Sequence, residues 1–123
     1  MLSPLTNCNL PANPIPEDID FYKDCLVAER QIQSVQNWRP LIENYFEESD
    51  VDKALRIVYC ESRGKSTAVG RNTNGTTDVG LWQFNDDTWA WLKAKLKITS
   101  TRFNPEVSTA VASWLVYNDG WYH

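Results

Sequence analysis

Residues 50–64, "DVDKALRIVYCESRG", carry the clearest periodic pattern of apolar positions in the chain. Ala54, Ile57 and Val58 recur at spacings of three and four, which predicts an amphipathic helix with these side chains toward the core. Polar residues suited to an N-cap precede the pattern, and a glycine suited to ending a helix follows it. Glu61 continues the same spacing, so the pattern predicts a carboxylate on the apolar face in the last turn.

Similar patterns predict four further helices and a single domain. They are expected over residues 17–37, in a short stretch from Pro40, from Asp86 or Asp87 onward, and over residues 105–117. Asn104 is suited to cap the last of them, with a proline in its first turn. Residues 1–16 hold four of the six prolines, which predicts an extended arm on a domain formed by residues 17–123.

A short β-rich segment lies between the third and fourth predicted helices. It contains Asn74-Gly75, the pair favoured at the centre of a type I′ hairpin turn. The run "LWQFN" after Gly80 predicts a third short strand, along which apolar side chains should alternate between two faces. Helices with one small antiparallel sheet predict an α+β fold that is mainly helical.

Two carboxylates flank this segment. Burial and the helix-terminal carbonyl groups should both raise the pKa of Glu61, because each disfavours the anion. On the helix alone, an ordinary glutamate that turns toward water is the favoured alternative. Asp78 lies on the second predicted strand, which returns toward the end of the helix, and its plain alternative is a turn acid that bonds local amides.

Composition and charge narrow the classes of function. The chain has 123 residues, 42% of them hydrophobic and six of them Trp, which suffices for the core of one domain. No apolar run is long enough to span a membrane, so no membrane partner is expected. The formal net charge of −4 argues against a nucleic-acid partner, since phosphate binding needs a basic surface.

The cysteines and the single histidine give no sign of a metal site. Neither a CxxC nor an HxxxH pair is present, and the one histidine is His123, so no metal and no cofactor are expected. One disulfide with a free thiol and three free thiols are both open for Cys8, Cys25 and Cys60. Cys60 is predicted to be a buried, small apolar residue without a nucleophilic role.

The string from Glu61 to Trp89, "ESRGKSTAVGRNTNGTTDVGLWQFNDDTW", resembles the active-site segment of c-type lysozymes. Both have a glutamate at a helix end, a hairpin that carries an aspartate at the same separation, and then Gly, Gln and Asn. The cysteine framework of c-type lysozymes is missing here. The later run "FNPEVSTAVASWLVYNDGWYH" is more similar to lytic transglycosylases and phage endolysins of the wider lysozyme superfamily.

The resemblance implies a lysozyme-like fold and a set of roles. Glu61 would be the general acid and Asp78 the ionised nucleophile or electrostatic stabiliser. Gln83 and Asn85 would bind the substrate and orient both the sugar and Asp78. Trp89 would lie on the cleft wall, and Trp121 would pack on the glutamate. Asn72 would be a further substrate-binding residue. Trp82, Trp91 and Trp121 each have a plainer interpretation, in which the side chain fills the core instead of contacting a sugar.

The resemblance implies a monomeric peptidoglycan hydrolase, a muramidase that cleaves the β-1,4 bond between N-acetylmuramic acid and N-acetylglucosamine in glycan strands. The alternatives are a lytic transglycosylase that uses Glu61 alone, a chitin-directed hydrolase, and a silent saccharide-binding module. The expected place of action is the bacterial cell wall. The first residues lack the pattern of a signal peptide, which fits either a virus-encoded enzyme released from its host or a mature chain.

Overall fold

Five helices and one small antiparallel sheet make up the computed structural model, which describes residues 8–121. The helices are α1 Pro16–Ser34, α2 Arg39–Glu43, α3 Val51–Ser62, α4 Asp86–Leu96 and α5 Pro105–Asp119. The strands are β1 Val69–Arg71, β2 Thr77–Val79 and β3 Phe84–Asn85, in the order β1-β2-β3. The α+β fold and all five predicted helices are confirmed.

The predicted helix ends are partly confirmed. The Asn104 side chain accepts a hydrogen bond from the Val107 amide at 3.1 Å and so caps α5 as expected. Helix α1 stops at Ser34, before its predicted end, because residues 36–38 form a 3₁₀ turn instead. None of the helices within residues 8–121 is both long and apolar enough to cross a membrane.

The N-terminal segment is joined to α1 by a disulfide between Cys8 and Cys25. This finding decides between the cysteine alternatives and leaves Cys60 as the free thiol. The prediction that Cys60 is buried is wrong, because its side chain is exposed. Residues 1–7 of the predicted arm and His123 lie outside the described residues, so the division into arm and domain stays a prediction.

Helix α3 lies at the centre of the core and packs against both α1 and α2. Its buried residues are Val51, Ala54, Leu55, Val58 and Ser62. The observed buried face is therefore rotated about the helix axis relative to the predicted one. Ile57 is only partly buried, and Glu61 lies beside the buried face instead of on it. The consequence is that a second face of α3, which includes both residues, remains open to solvent.

The hairpin between β1 and β2 differs from the predicted one. The Asn72 amide donates to the Thr76 carbonyl oxygen at 2.9 Å, and the Gly75 amide donates to the Asn72 carbonyl oxygen at 3.1 Å. Only Gly75 of the Asn74-Gly75 pair has a positive φ, of 88°. The type I′ prediction is wrong, since a three-residue loop with glycine in the left-handed region closes the hairpin.

The third strand is shorter than predicted. Residues 80–83 form a turn in which the Gln83 amide donates to the Gly80 carbonyl oxygen at 3.1 Å, so that only Phe84–Asn85 pairs with β2. The expected alternation along this run is wrong because Leu81, Trp82 and Phe84 are all buried. The turn directs this segment into the core, where it meets the end of α3.

Candidate active site

Ser62, the residue after Glu61, anchors the end of α3 to the turn before β3. Its hydroxyl oxygen lies 2.8 Å from the Leu81 carbonyl oxygen, to which it donates, and it accepts from the Gly64 amide at 3.2 Å. Because the Ser62 side chain is 6% exposed, this link is shielded from water. It fixes the last turn of α3, and hence Glu61, against the sheet region.

A cationic side chain binds the carbonyl groups at the end of α3. Arg63 adopts a left-handed conformation with φ 55°, and its guanidinium donates to the carbonyl oxygens of Tyr59, at 2.7 Å, and Cys60, at 3.2 Å. The same guanidinium stacks over the Tyr59 ring. These contacts offset the negative end of the helix dipole close to Glu61.

The pKa of Glu61 is raised above its ordinary value, as predicted. Much of the Glu61 residue is exposed, but its carboxyl group is partly buried; this burial is the larger cause, and the negative charge of Asp78 is the second. The second cause differs from the helix-terminal carbonyl groups expected from the sequence. The charge of Asp78 therefore acts on the Glu61 carboxyl group across the site.

Asp78 is held in a network of side-chain amides. Its Oδ1 accepts hydrogen bonds from Asn85 Nδ2 at 2.9 Å and from Asn72 Nδ2 at 3.2 Å. Asn85 pairs with Asp78 across β2 and β3, and both amides also donate to the Thr76 hydroxyl oxygen at 3.1 Å. Two donors on one oxygen fix the orientation of the Asp78 carboxyl group.

Two of the residues assigned to substrate binding make their contacts within the fold. Gln83 Nε2 donates to the carbonyl oxygens of Ala68, at 3.0 Å, and Gly80, at 2.9 Å, so this amide braces the sheet instead of orienting Asp78. Trp89 is 6% exposed and packs on the Phe84 ring, which gives it a core position with almost no surface for a sugar.

Trp121 combines both of its expected positions. Its ring stacks on Phe46 with 5.9 Å between centroids, and it also borders the space around Glu61. Of the other tryptophans, Trp82 is in the core and donates to the Thr109 hydroxyl at 3.0 Å, whereas Trp91 is 50% exposed. Trp82 and Trp121 therefore both line the space beside Glu61, and Trp91 does not.

Two cavities meet at Glu61. The inner one, of about 60 Å³, is mainly apolar and is lined by Ile57, Glu61, Trp82, Phe84, Ala112, Leu115, Val116, Gly120 and Trp121. The outer one is an open groove that shares Ile57, Glu61 and Trp121 with it. The inner cavity accounts for the partial desolvation of the acid, and the groove gives an extended ligand access to it.

An ionic network that sequence reasoning missed fixes the sheet in place. Asp86 accepts hydrogen bonds from the Thr77 amide and hydroxyl, both at 2.9 Å, and pairs with Arg102 at 2.8 Å. The hydrogen bonds from Thr77, followed by Arg102, hold the pKa of Asp86 below its ordinary value. Arg102 also donates to the Phe84 carbonyl oxygen at 2.9 Å, which ties β2, β3 and the start of α4 together around Asp78.

Comparison with known proteins identifies one family. The family model described as "Transglycosylase SLT domain" matches residues 42–119, which is well over half of the chain. The matched range includes Glu61, Asp78 and the helices and strands that position them. No curated protein and no solved structure gives a significant match.

Proposed function

We propose that this chain, which belongs to the transglycosylase SLT domain family, is a muramidase that hydrolyses the β-1,4 bond between N-acetylmuramic acid and N-acetylglucosamine. Membership itself establishes the coarser activity: this is a lysozyme-like domain that cleaves glycosidic bonds in peptidoglycan, the polymer of the bacterial cell wall. The finer proposal concerns the acceptor of the cleaved sugar, which we take to be water, and the residues that perform the step.

The observation that supports the proposal is the pairing of Glu61 with Asp78. Burial and the charge of Asp78 raise the pKa of Glu61, which keeps its proton available up to a higher pH. Asp78 accepts two amide hydrogen bonds that fix the direction of its carboxyl group. Two nearby carboxyl groups in different environments are the usual arrangement for glycoside hydrolysis.

These roles give a balanced reaction. Glu61 donates its proton to the glycosidic oxygen as the bond from that oxygen to C1 breaks, and N-acetylglucosamine leaves as an alcohol. The positive charge that develops at C1 is stabilised by Asp78, either electrostatically or through a covalent bond. A water molecule then attacks C1, Glu61 takes the proton from this water, and both carboxylates return to their initial states.

A lytic transglycosylase is the second candidate, and the description of the matched family favours it. In that reaction the 6-hydroxyl group of the muramic acid attacks C1 and gives its proton to Glu61, so that a 1,6-anhydro ring forms without water. Such a step needs one acid that becomes a base. It leaves the amide-bound Asp78 without a chemical role.

Product analysis with an Asp78→Asn variant separates the two reactions. Digestion of purified peptidoglycan in ¹⁸O-labelled water should give reducing muramic acid ends that carry the label, as detected by mass spectrometry. The variant should lose on the order of 10²-fold or more of the rate, while an Asp87→Asn control on the exposed start of α4 should keep it. Unlabelled 1,6-anhydro products together with an active variant would establish the transglycosylase. Binding of glycan strands without any cleavage would indicate a silent module.

A further inference from the structure

The exposed face of α3 lines a groove that leads to the proposed acid. The groove has a volume of about 520 Å³ and is formed by Lys53, Arg56, Ile57, Cys60, Glu61 and Trp121. The five α3 positions repeat at spacings of three and four residues, so they lie on one face of the helix. A polymer bound with its scissile bond at Glu61 would continue along this face.

The groove has a charge opposite to that of the chain. Its lining contains two cationic side chains and one acid, Glu61, whereas the chain has a formal net charge of −4. The Lys53 ammonium lies 4.4 Å from the centroid of the Trp121 ring, which keeps it at the groove rim. Arg56 is held through a hydrogen bond from Nε to Gln31 at 3.1 Å, and its guanidinium has four further N–H donors.

The spacing of these cations fits a charged branch close to the scissile bond. Arg56 and Lys53 precede Glu61 by five and eight residues, which corresponds to about 7.5 and 12 Å along the helix axis. Each residue of an extended peptide spans about 3.5 Å, so about two residues cover the distance to Arg56 and about three to four cover the distance to Lys53. Muramic acid carries a peptide of this kind, the stem peptide, which begins at its lactyl group and contains free carboxylates.

We propose that Lys53 and Arg56 bind carboxylates of the stem peptide, so that the enzyme selects peptide-bearing glycan over bare glycan. This inference rests on the proposed cleavage of peptidoglycan at Glu61. It assigns the substrate class within that function, namely strands whose muramic acid carries an anionic peptide. It also gives the two cations a specificity role that is separate from the chemistry at C1.

Three substrates test the proposal, all freed of phosphate-containing wall polymers so that carboxylates are the anions present. They are intact strands, strands stripped of stem peptides by an amidase, and strands whose stem carboxylates have been converted to amides. The test variant is Lys53→Gln/Arg56→Gln. The matched control is Lys23→Gln/Lys93→Gln, which removes the same charge from exposed positions outside the groove.

The test variant should lose about twofold to thirtyfold in kcat/KM on intact strands, the range for two partly exposed ion pairs. It should match the wild type on stripped and amidated strands, and the control should match it on all three. The single variant Arg56→Gln, which leaves the Lys53–Trp121 contact intact, should show part of the same selective loss.

The outcomes separate this inference from the proposed function. An equal loss on all three substrates, or no loss on intact strands, would overturn the stem-peptide role. Wild-type enzyme that cleaves intact and stripped strands equally well would overturn it too, while leaving the cleavage function standing. Failure of the wild type to cleave any of the substrates would instead contradict the proposed function.

Discussion

At the scale of single residues, Glu61 and Asp78 have the same chemical group in different surroundings. Glu61 borders an apolar cavity, which disfavours its anion, whereas Asp78 lies among polar side chains and receives two amide hydrogen bonds. The assignment of acid and stabiliser follows from this difference and not from residue type. It can be tested at each residue separately.

Glu61→Gln should abolish cleavage and leave the fold intact. The amide keeps the shape of the side chain but has no acidic proton to donate, and general acid catalysis typically contributes ~10²–10⁴-fold. The rate of release of soluble muropeptides measures the loss, and circular dichroism checks the fold. Near-normal turnover in this variant would remove Glu61 from the mechanism.

Trp121→Ala should lower the pKa of Glu61, because water would replace the ring beside the carboxyl. Glu61 is active when protonated, so activity falls as pH rises through its pKa. The alkaline limb of the pH–rate profile should therefore move to lower pH, and the acidic limb should stay. Stability should fall by up to about 3–5 kcal/mol.

Trp91→Ala is the control for this variant, since Trp91 is half exposed on α4 and away from Glu61. It should leave the pH–rate profile unchanged. A folded Trp121→Ala enzyme with the wild-type alkaline limb would show that the ring does not set the environment of the acid.

At the scale of elements, the site depends on how α3 and the sheet are joined. The two carboxylates belong to separate elements, and the Ser62 hydroxyl, bonded to the Leu81 carbonyl oxygen, is a buried link between the end of α3 and the sheet region. The Arg102–Asp86 pair performs the same task between the sheet and α4. Precise placement of Glu61 relative to Asp78 is thus a property of these junctions.

Ser62→Ala should destabilise the protein by about 1–3 kcal/mol, because the Leu81 carbonyl oxygen loses a buried donor. Urea denaturation monitored by tryptophan fluorescence measures this change. Cleavage by the folded variant should also decrease, since the last turn of α3 loses its anchor. Ser34→Ala removes an exposed hydroxyl at the end of α1 and should cost little by comparison. Equal costs for the two variants would argue against the junction.

The helices were predictable because their signals are local. Asn104, with a proline directly after it, marks the start of α5, and Gly120 ends it with a φ of 103°. The buried face of α3 was not predictable, because Leu55 and Ile57 are both apolar and tertiary packing alone decides that Leu55 is buried. The contacts of Gln83 were not predictable for a related reason: one of its carbonyl partners, Ala68, becomes a neighbour only in the fold.

At the scale of the whole molecule, the part matched by the family is supported by a helix outside it. The match begins at residue 42, whereas α1 ends before it and contributes Ile32, which is fully buried, to the common core. Helix α1 packs on α3, the helix that carries Glu61, and its Gln31 side chain accepts a hydrogen bond from the groove residue Arg56. The disulfide between Cys8 and Cys25 in turn secures the segment before α1.

Lysis of whole cells should not show the steep salt inhibition of a strongly cationic enzyme. The chain has 16 acidic against 12 basic side chains, so it has no long-range attraction to an anionic wall, and the Debye length is ~8 Å at physiological ionic strength. A sodium chloride series with a turbidity assay measures this dependence. A steep fall in the rate of cell lysis as salt increases would contradict the expectation.

Cys60 gives the groove a built-in chemical reporter. Cys60 takes no part in the disulfide and has a free thiol. Its side chain is exposed and lines the groove next to Glu61. Its alkylation by a small reagent such as iodoacetamide can be followed by mass without introducing a label. Saturating glycan fragments should slow this alkylation in the inactive Glu61→Gln variant, so the occupancy of the groove becomes measurable as a footprint, independently of any bond being cut.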